Sequence, residues 1–449
     1  MSVEVNDASG YSGLAERIFA PRSEAEVAEI LHQACRAGQT VTIAGAGTGL
    51  TGGSVPQSGW RVSMEKLKRM EIEPGFAVCG AGVLLRELQA AAGASRQFYA
   101  PDPTESSASI GGTIATNASG SRSFLYGDTR RHVRALRVVL ASGDVLELRR
   151  GENCPFELPA FPAPMTTKNT AGYYVRPGMD FLDLFIGSEG TLGVVVEAEL
   201  GLLPTPHSIF AGVVFFESDA VALDAVDRWR AVPQLRMLEY LDAGSLDLLR
   251  PSFPEIPLAA RTALLIEREG EDWLPDEGMD ASWFAAGAPD RERFRRFRHA
   301  LPEAVNDLIR RRGLCKTGSD FAVPVARNRA MLQFYRETLE REFRGQYVIF
   351  GHIGDAHLHV NILPANETEW LRARELMVLF ARRAVELGGT VSAEHGLGKS
   401  KRHLLPIQFG EAEIRSMMDV KSRLDPGWML GPGTLFPEPT RPIPQPARS

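Results

Sequence analysis

Histidine is the residue type whose placement could do chemistry here. The chain carries nine, and His352, His357, His359 and His395 fall within 44 residues. Imidazole is the commonest metal ligand and the side chain that titrates nearest neutral pH, so the crowding points to metal or proton chemistry. The run Val348 to Pro364 (VIFGHIGDAHLHVNILP) alternates as two strands around a Gly354-Asp355-Ala356 turn. Pairing Ile353 with Leu358 sets His352 directly opposite His359, with Cβ atoms roughly 4.5–5.5 Å apart on one face, close enough to share an ion. Asn361 follows on that same face. A strand-like segment, Gly388 to Ala393, then delivers Glu394-His395 at its end. Two histidines and a glutamate with an open position form the catalytic kind of metal site, with His395 placed beside it as a general base. His357 shares the parity of His359 but falls beside the turn and is given no role. Taken singly, each histidine reads as a hydrogen-bonded strand residue. The hairpin pair together with the Glu-His dipeptide is what favours a metal.

Glycine is the second signal. A strand, Val41 to Ala44, runs into AGAGTGLTGGSVP, where Gly47-Thr48-Gly49-Leu50-Thr51-Gly52 fits GxGxxG. A Rossmann site needs an amphipathic helix opening on the last glycine, and Gly53-Ser54-Val55-Pro56 cannot supply one. The loop is still suited to bringing backbone N–H groups close to a pyrophosphate with no Cβ in the way. A second stretch, Pro101 to Gly120, sets Ser109, Thr113, Thr116 and Asn117 among Gly111, Gly112 and Gly120, and a third signature, IGSEGTLGVV, spans Ile186 to Val195. Ala393 to Ser400 imitates a phosphate-binding GxxxxGK[ST] loop. Alanine replaces its first glycine, and Glu394 would put a carboxylate where phosphates sit.

These groups need a scaffold of two or three domains, the number 449 residues implies. The composition, 44% hydrophobic and 24% charged, is that of a globular chain, and a net charge of −6 advertises no polyanionic partner such as nucleic acid. Cys35, Cys79, Cys154 and Cys315 stand far apart, which excludes a disulfide scaffold, a zinc knuckle and a built-in iron–sulfur module. No apolar run has the length of a membrane span and the start carries no targeting pattern, so a cytoplasmic protein is expected. Ser23 and Glu26 make a capping-box pattern ahead of a helical face of Val27, Ile30, Leu31 and Ala34, with Gly38 as the stop. Ser142-Gly143-Asp144 reads as a hairpin turn. A domain boundary falls near Leu203 to His207. Beyond it, strands at Ile209 to Phe216, Leu235 to Tyr240 and Thr262 to Glu267 alternate with helices, two of them at Arg291 to Arg312 and Trp370 to Leu387. The tail after Pro437 is Pro-rich and reads as loose.

In this order, TGLTGG (Thr48 to Gly53), SIGGTIATNASG, GSEGTLGVV, GHIGDAHLHVN, AEHGLGKSK and DPGWMLGPGTLF (Asp425 to Phe436) resemble the FAD-dependent 2-hydroxy-acid dehydrogenases of the vanillyl-alcohol-oxidase superfamily. That group includes D-lactate dehydrogenases, the catalytic subunit of glycolate oxidase and D-2-hydroxyglutarate dehydrogenases, and the match runs from about Pro21 to Phe436. The resemblance implies an α+β protein. A PCMH-type FAD-binding domain would cover 1–205, and an antiparallel-sheet FAD-linked oxidase domain carrying substrate and metal would cover 206–414. Residues 415–449 would return to the first domain. It implies that Gly45, Ala46, Gly47, Thr48, Gly49, Leu50 and Thr51 cradle the pyrophosphate. Pro103, Thr104, Ser109, Ile110, Gly111, Gly112, Thr113, Thr116, Asn117 and Gly120 would line the cofactor, completed by Glu189, Gly190 and Val194. No His or Cys in the first loop could tether the flavin, so FAD is expected to bind non-covalently. By the same carry-over His352, His359 and Glu394 would ligate a divalent metal, zinc by expectation, with Asn361 in the pocket and His395 as base. An arginine on the helix preceding the hairpin would grip the substrate carboxylate, and Arg298 is the candidate because a guanidinium holds a carboxylate bidentately. A solvated basic helix face is the competing reading of that Arg-rich stretch.

Departures bear on substrate. GDAHLH stands where GDGNLH is commoner, with His357 in place of asparagine, and the lysine that reads a second carboxylate has only a loosely spaced counterpart, Lys316. That spacing counts against a dicarboxylate such as hydroxyglutarate, and D-lactate, glycolate or a larger 2-hydroxy acid stay open. Electrons must leave to an external acceptor, an electron-transfer flavoprotein, a quinone or an iron–sulfur subunit, and a homodimer is one assembly the chain allows. A metal-dependent hydrolase would leave three glycine signatures unused, and a non-catalytic flavoprotein subunit would leave the metal set unused.

Overall fold

The hydroxyl of Ser23 accepts from the Glu26 N–H (3.2 Å) and opens a helix at Glu24–Arg36. The reciprocal bond of the box is shifted by one residue, with the Glu26 carboxylate accepting from the Arg22 N–H. Gly38, at φ +62°, ends the helix in the left-handed conformation that glycine takes without a Cβ penalty. The computed structural model describes residues 2–159, 161–270, 273–285 and 287–437. The Pro-rich tail lies outside the described residues.

The buried face of that helix covers a three-stranded parallel sheet ordered Arg17–Phe19, Trp60–Ser63, Val41–Ala44. The end of the chain joins the same layer, since the Val41 N–H donates to the Met429 carbonyl and Gly431 N–H to the Val41 carbonyl, both at 2.8 Å. A second sheet is antiparallel, ordered Val145–Arg149, Val133–Val139, Val194–Gly201, Phe76–Gly80, Met70–Glu73, and Gly143 (φ +87°) turns its hairpin. Between these sheets, Ser109 caps a short helix, Ile110–Ala115, inside what reads by sequence as a polar glycine loop. A small hairpin, Val3–Asn6 with Ser12–Ala15, precedes everything. Asp7 beyond its first strand accepts from the buried Gly52 N–H.

The third sheet has seven antiparallel strands in the order Trp283–Phe284, Ile209–Phe216, Thr262–Glu269, Leu235–Leu241, Tyr347–His352, His357–Ile362, Thr317–Gly318. Side chains alternate across it. Val214, Phe216, Leu264, Ile266 and Leu238 join a core shared with the FAD-type half, while Val213, Phe215, Leu265 and Met237 pack against the Arg-rich helix. Both faces are thus covered, which explains strands that read as continuous apolar runs. The Arg-rich helix, Ala288–Arg311, buries Phe294, Phe297, Leu301, Val305 and Ile309 at helical spacing. Pro302 within it has no N–H to offer the Arg298 carbonyl one turn earlier.

Two local expectations are corrected. The hairpin closes through Ile353–Asp355 and a left-handed Ala356 (φ +52°), so His352 pairs with His357, and His359 pairs with Phe350. A shift of two residues leaves every side chain on its expected face, because the strand period is two. The segment 388–393 is not a strand; only Thr390 bridges, to Ala322. Two adjacent glycines and the close approach of Gly389 to the Ala322 carbonyl keep it an extended linker.

Candidate active site

The glycine loops converge on one cleft of about 1490 Å³, open solvent included. Residues 45–51 line it entirely, with Pro103, Thr104, Ser109, Gly111, Gly112, Thr113, Thr116, Gly120, Glu189 and Gly190. The glycines are sterically required. A Cβ on Gly45 would meet Ser109 Oγ at 2.2 Å, and one on Gly111 would meet Ala81 Cβ at 2.7 Å. Cradles this tight admit backbone N–H groups to a long polar ligand, so the residues fit FAD.

Three of the expected cofactor residues stand elsewhere. Ile110 points into the core and Val194 into the parallel-sheet layer, so Gly193 and Val195 face the cleft instead. Alternation along the strand accounts for Val194. Asn117 sits at φ +47°, donating to Asp128 and accepting from the Arg130 N–H. It shapes the loop behind the cleft.

Glu394 and His395 line the same cleft. Glu394 Oε1 lies 3.2 Å from His352 Nε2 and 3.3 Å from His359 Nε2. Its Oε2 accepts from Ser119 Oγ (2.8 Å) and from the buried Lys168 ammonium (3.2 Å). His352 Nδ1 is held by Glu239 Oε1 at 2.6 Å, and His359 Nδ1 by the Ser319 carbonyl at 3.1 Å. Imidazoles tied at one nitrogen and turned inward with the other are arranged as metal-ligating histidines are. With His357, these residues present ligating atoms that all lie within 4.8 Å of one another, so the donor set fits a divalent ion. His357 is therefore within the cluster, brought there by the register that sets it opposite His352.

Burial alone would raise the Glu394 carboxyl, but Lys168 and His352 hold it well below the usual carboxylate range. Burial likewise opposes the Glu239 charge, and His352 and Arg298 outweigh it. Arg298 is half-buried, its Nε donating to Glu239 Oε2 (3.1 Å) and its Nη1 to Thr104 Oγ1 (3.3 Å), so it touches both the cleft wall and the partner of His352. The basic-face reading does not describe this arginine. Asn361 is buried on the face of His359, and its Oδ1 has no partner among the described residues. Lys316 stands at the surface, yet the groups packed around its ammonium lower its pKa to about 8, by desolvation first and by the like charge of Lys401 second.

His395 stacks on His359 with ring centroids 5.5 Å apart. Its Nδ1 faces Asp320 Oδ1 at 3.6 Å and its Nε2 faces Glu394 Oε1 at 3.8 Å. Burial pushes its pKa down to about 4, so the ring is neutral at pH 7. The loop that follows is the false phosphate motif. Its Leu397 and Gly398 N–H groups close on the Glu189 carboxylate at 2.9 and 2.8 Å. An internal carboxylate fills the place an anion would take.

Lys168, Glu239 and Asp320 are functional neighbours that sequence reasoning missed. Glu239 left a trace, a carboxylate in the strand Leu235–Leu241, whose only other charged residue is Arg236. Lys168 left none, since only the fold brings it to Glu394.

Comparison with known proteins agrees with this architecture. A model of the FAD binding domain matches residues 15–149, and a model of the C-terminal domain of FAD linked oxidases matches 205–435. Glycolate oxidase subunit GlcD of Bacillus subtilis is 30% identical, over 96% of this chain and 91% of its own. The D-lactate dehydrogenase of Anaerostipes hadrus is 30% identical, over 88% and 84%. The D-2-hydroxyglutarate dehydrogenase of Xanthomonas citri pv. viticola is 31% identical, over 93% and 89%. In fold, a solved alkyldihydroxyacetonephosphate synthase superposes with a TM-score of 0.66 at 18% identity, covering 92% of this chain and 76% of that one. With an FAD binding domain, an FAD-linked oxidase C-terminal domain and relatives matched along nearly its whole length, the chain belongs to the FAD-dependent oxidoreductases of the vanillyl-alcohol-oxidase superfamily.

Proposed function

We propose that the protein oxidises a D-2-hydroxy acid to the 2-oxo acid, with FAD held non-covalently in the cleft and a divalent ion, zinc by expectation, held by the histidine–glutamate cluster. The observation that carries this reading is the shared cleft. Glu394 and His395 line the same cavity as the glycine loops. Bound FAD supplies a two-electron acceptor for the substrate α-hydrogen leaving as hydride, and the ion supplies a Lewis acid for the substrate oxygens.

The chain's own residues do the rest. Asp320 Oδ1, 3.6 Å from His395 Nδ1, favours the proton on that nitrogen and leaves Nε2 as the base for the substrate hydroxyl. Arg298, oriented by Glu239 and Thr104, binds the substrate carboxylate. Asn361 Oδ1, buried and unpartnered, is placed to accept from substrate. Lys316 would reach only a second, distal carboxylate, so it separates hydroxyglutarate from lactate or glycolate. The four cysteines, scattered from Cys35 to Cys315, offer no cluster site in this chain, so electrons would leave to a separate carrier, an electron-transfer flavoprotein, a quinone or an iron–sulfur subunit. No described helix is long and apolar enough to cross a membrane.

The test is anaerobic. The purified protein is expected to be yellow and to bleach with one of a panel of D- and L-2-hydroxy acids, and the response should vanish after chelation and return with zinc. Bleaching that persists after verified metal removal would refute the metal role. A colourless protein would refute the whole reading.

A further inference from the structure

His357 is fully buried, and among the described residues neither of its ring nitrogens makes an aligned hydrogen bond. Leaving a buried polar group unsatisfied is costly, so such an imidazole calls for a partner. The surroundings identify one. The ring centroid lies 4.4 Å from that of His359 and 5.2 Å from that of His352. Its Nε2 faces Asp320 Oδ1 at 3.1 Å. Asp320 itself is fixed, accepting from Ser392 Oγ (2.8 Å) and from the His395 N–H (2.9 Å).

The three imidazoles repeat one arrangement. Glu239 faces one nitrogen of His352, the Ser319 carbonyl one nitrogen of His359, and Asp320 one nitrogen of His357. Each outer acceptor favours the proton on the nitrogen it faces and leaves the other as a lone-pair donor. For His352 and His359 the inner atom is Nε2; for His357, whose Nε2 faces Asp320, it would be Nδ1.

We propose that His357 is a fourth protein ligand, so that the ion is held by three histidines and Glu394, with Asp320 as the outer carboxylate of His357. This rests on the metal-site reading above and deepens it. Asparagine, the commoner residue at this motif position, could not donate through an imidazole nitrogen. His357 therefore makes the site of this chain more enclosed and more nitrogen-rich, and a substrate oxygen reaches the ion only by raising its coordination number. Asp320 then serves two rings, as outer partner of His357 and as the group facing His395 Nδ1.

Metal content and zinc-edge X-ray absorption on the FAD-loaded protein test this. The wild type should bind one zinc with three imidazole neighbours. His357→Asn should show two and need at least about 100-fold more zinc for half occupancy, because losing even an outer-shell partner typically costs 10–100-fold. Asp320→Asn should keep three imidazoles with weaker binding. Unchanged flavin content and melting temperature verify that the variants fold, and His357→Gln repeats the measurement if the asparagine variant does not. Two imidazoles in the wild type, or equal affinity in His357→Asn, would overturn the fourth-ligand assignment alone. A wild type that takes up no zinc would overturn the metal reading with it.

Discussion

His395 and Glu189 show how burial sets the state of two single side chains lining one cleft. His395 is kept neutral and able to accept a proton at Nε2. Replacing it with asparagine, which has no basic nitrogen, should slow the anaerobic bleaching step by about 10²–10⁴-fold. Flavin absorbance and zinc content should be unchanged in this variant; a loss of either would assign His395 to the architecture instead. Glu189 is a different case. Burial pushes its carboxyl up to about 7, although two backbone N–H groups and Lys399 act to lower it. In the unfolded chain the same carboxyl ionises near 4.5. Between those values the native state binds the extra proton, so this group's contribution to stability falls as pH rises and levels off above about 7. The change is worth up to about 3 kcal/mol at 1.36 kcal/mol per pKa unit. Glu189→Gln cannot ionise. Its melting temperature relative to wild type should therefore rise as pH goes from 4.5 to 7, and a constant offset would show that Glu189 is already charged throughout.

The elements most legible in the sequence are those with a local cause. Ser23 and Gly38 bound a helix because a hydroxyl and an αL glycine act on their own neighbours, and Ser142-Gly143-Asp144 closes a hairpin for the same reason. The faces of His352, His359 and Asn361 were legible because strand parity survives a two-residue error in register. What could not be read was set by contact between distant parts. The register itself depends on Ala356 adopting a left-handed conformation that no glycine announces. Lys168 meets Glu394 across 226 positions. Gly398 belongs to this second class. It sits at φ +52°, and a Cβ there would lie 2.2 Å from the Thr51 carbonyl. Lys399 and Ser400 N–H groups donate to that same carbonyl, so the loop after His395 is pinned to the glycine loop of the cleft. Gly398→Ala should cost about 1–3 kcal/mol for the backbone conformation alone, before the clash is relieved. The expected result is a melting temperature lower by several degrees and weaker FAD retention on dilution. Normal retention would mean that the two loops move independently.

At the scale of the molecule, the two family domains are not two energetic units. One apolar core runs from Leu85, Leu88 and Ile114 on the FAD side through Phe216, Leu238 and Ile349 of the seven-stranded sheet to Phe409 and Phe436 near the chain end. Polar ties cross at the same place. Arg122 pairs with Asp102 and reaches over to Glu267, Ser123 donates to Asp355, Ser119 and Lys168 hold Glu394, and Arg298 donates to Thr104. The final segment pairs with Val41 beside the first glycine loop, so the chain closes on its own beginning. Inter-domain faces that can slide are smaller and more polar than this, and a shared apolar core penalises unfolding either half alone. The holoenzyme should therefore melt in one transition. FAD fluorescence reports the cleft, whereas the tryptophan signal comes mainly from the other half, where Trp229, Trp273, Trp283 and Trp370 lie. The two curves should coincide, as a cooperative transition requires. Release of flavin well before the tryptophan change would mean that the FAD half opens alone. Glu394 and His395, the groups proposed to act at the junction, would then be held against the glycine loops by the cofactor rather than by the protein.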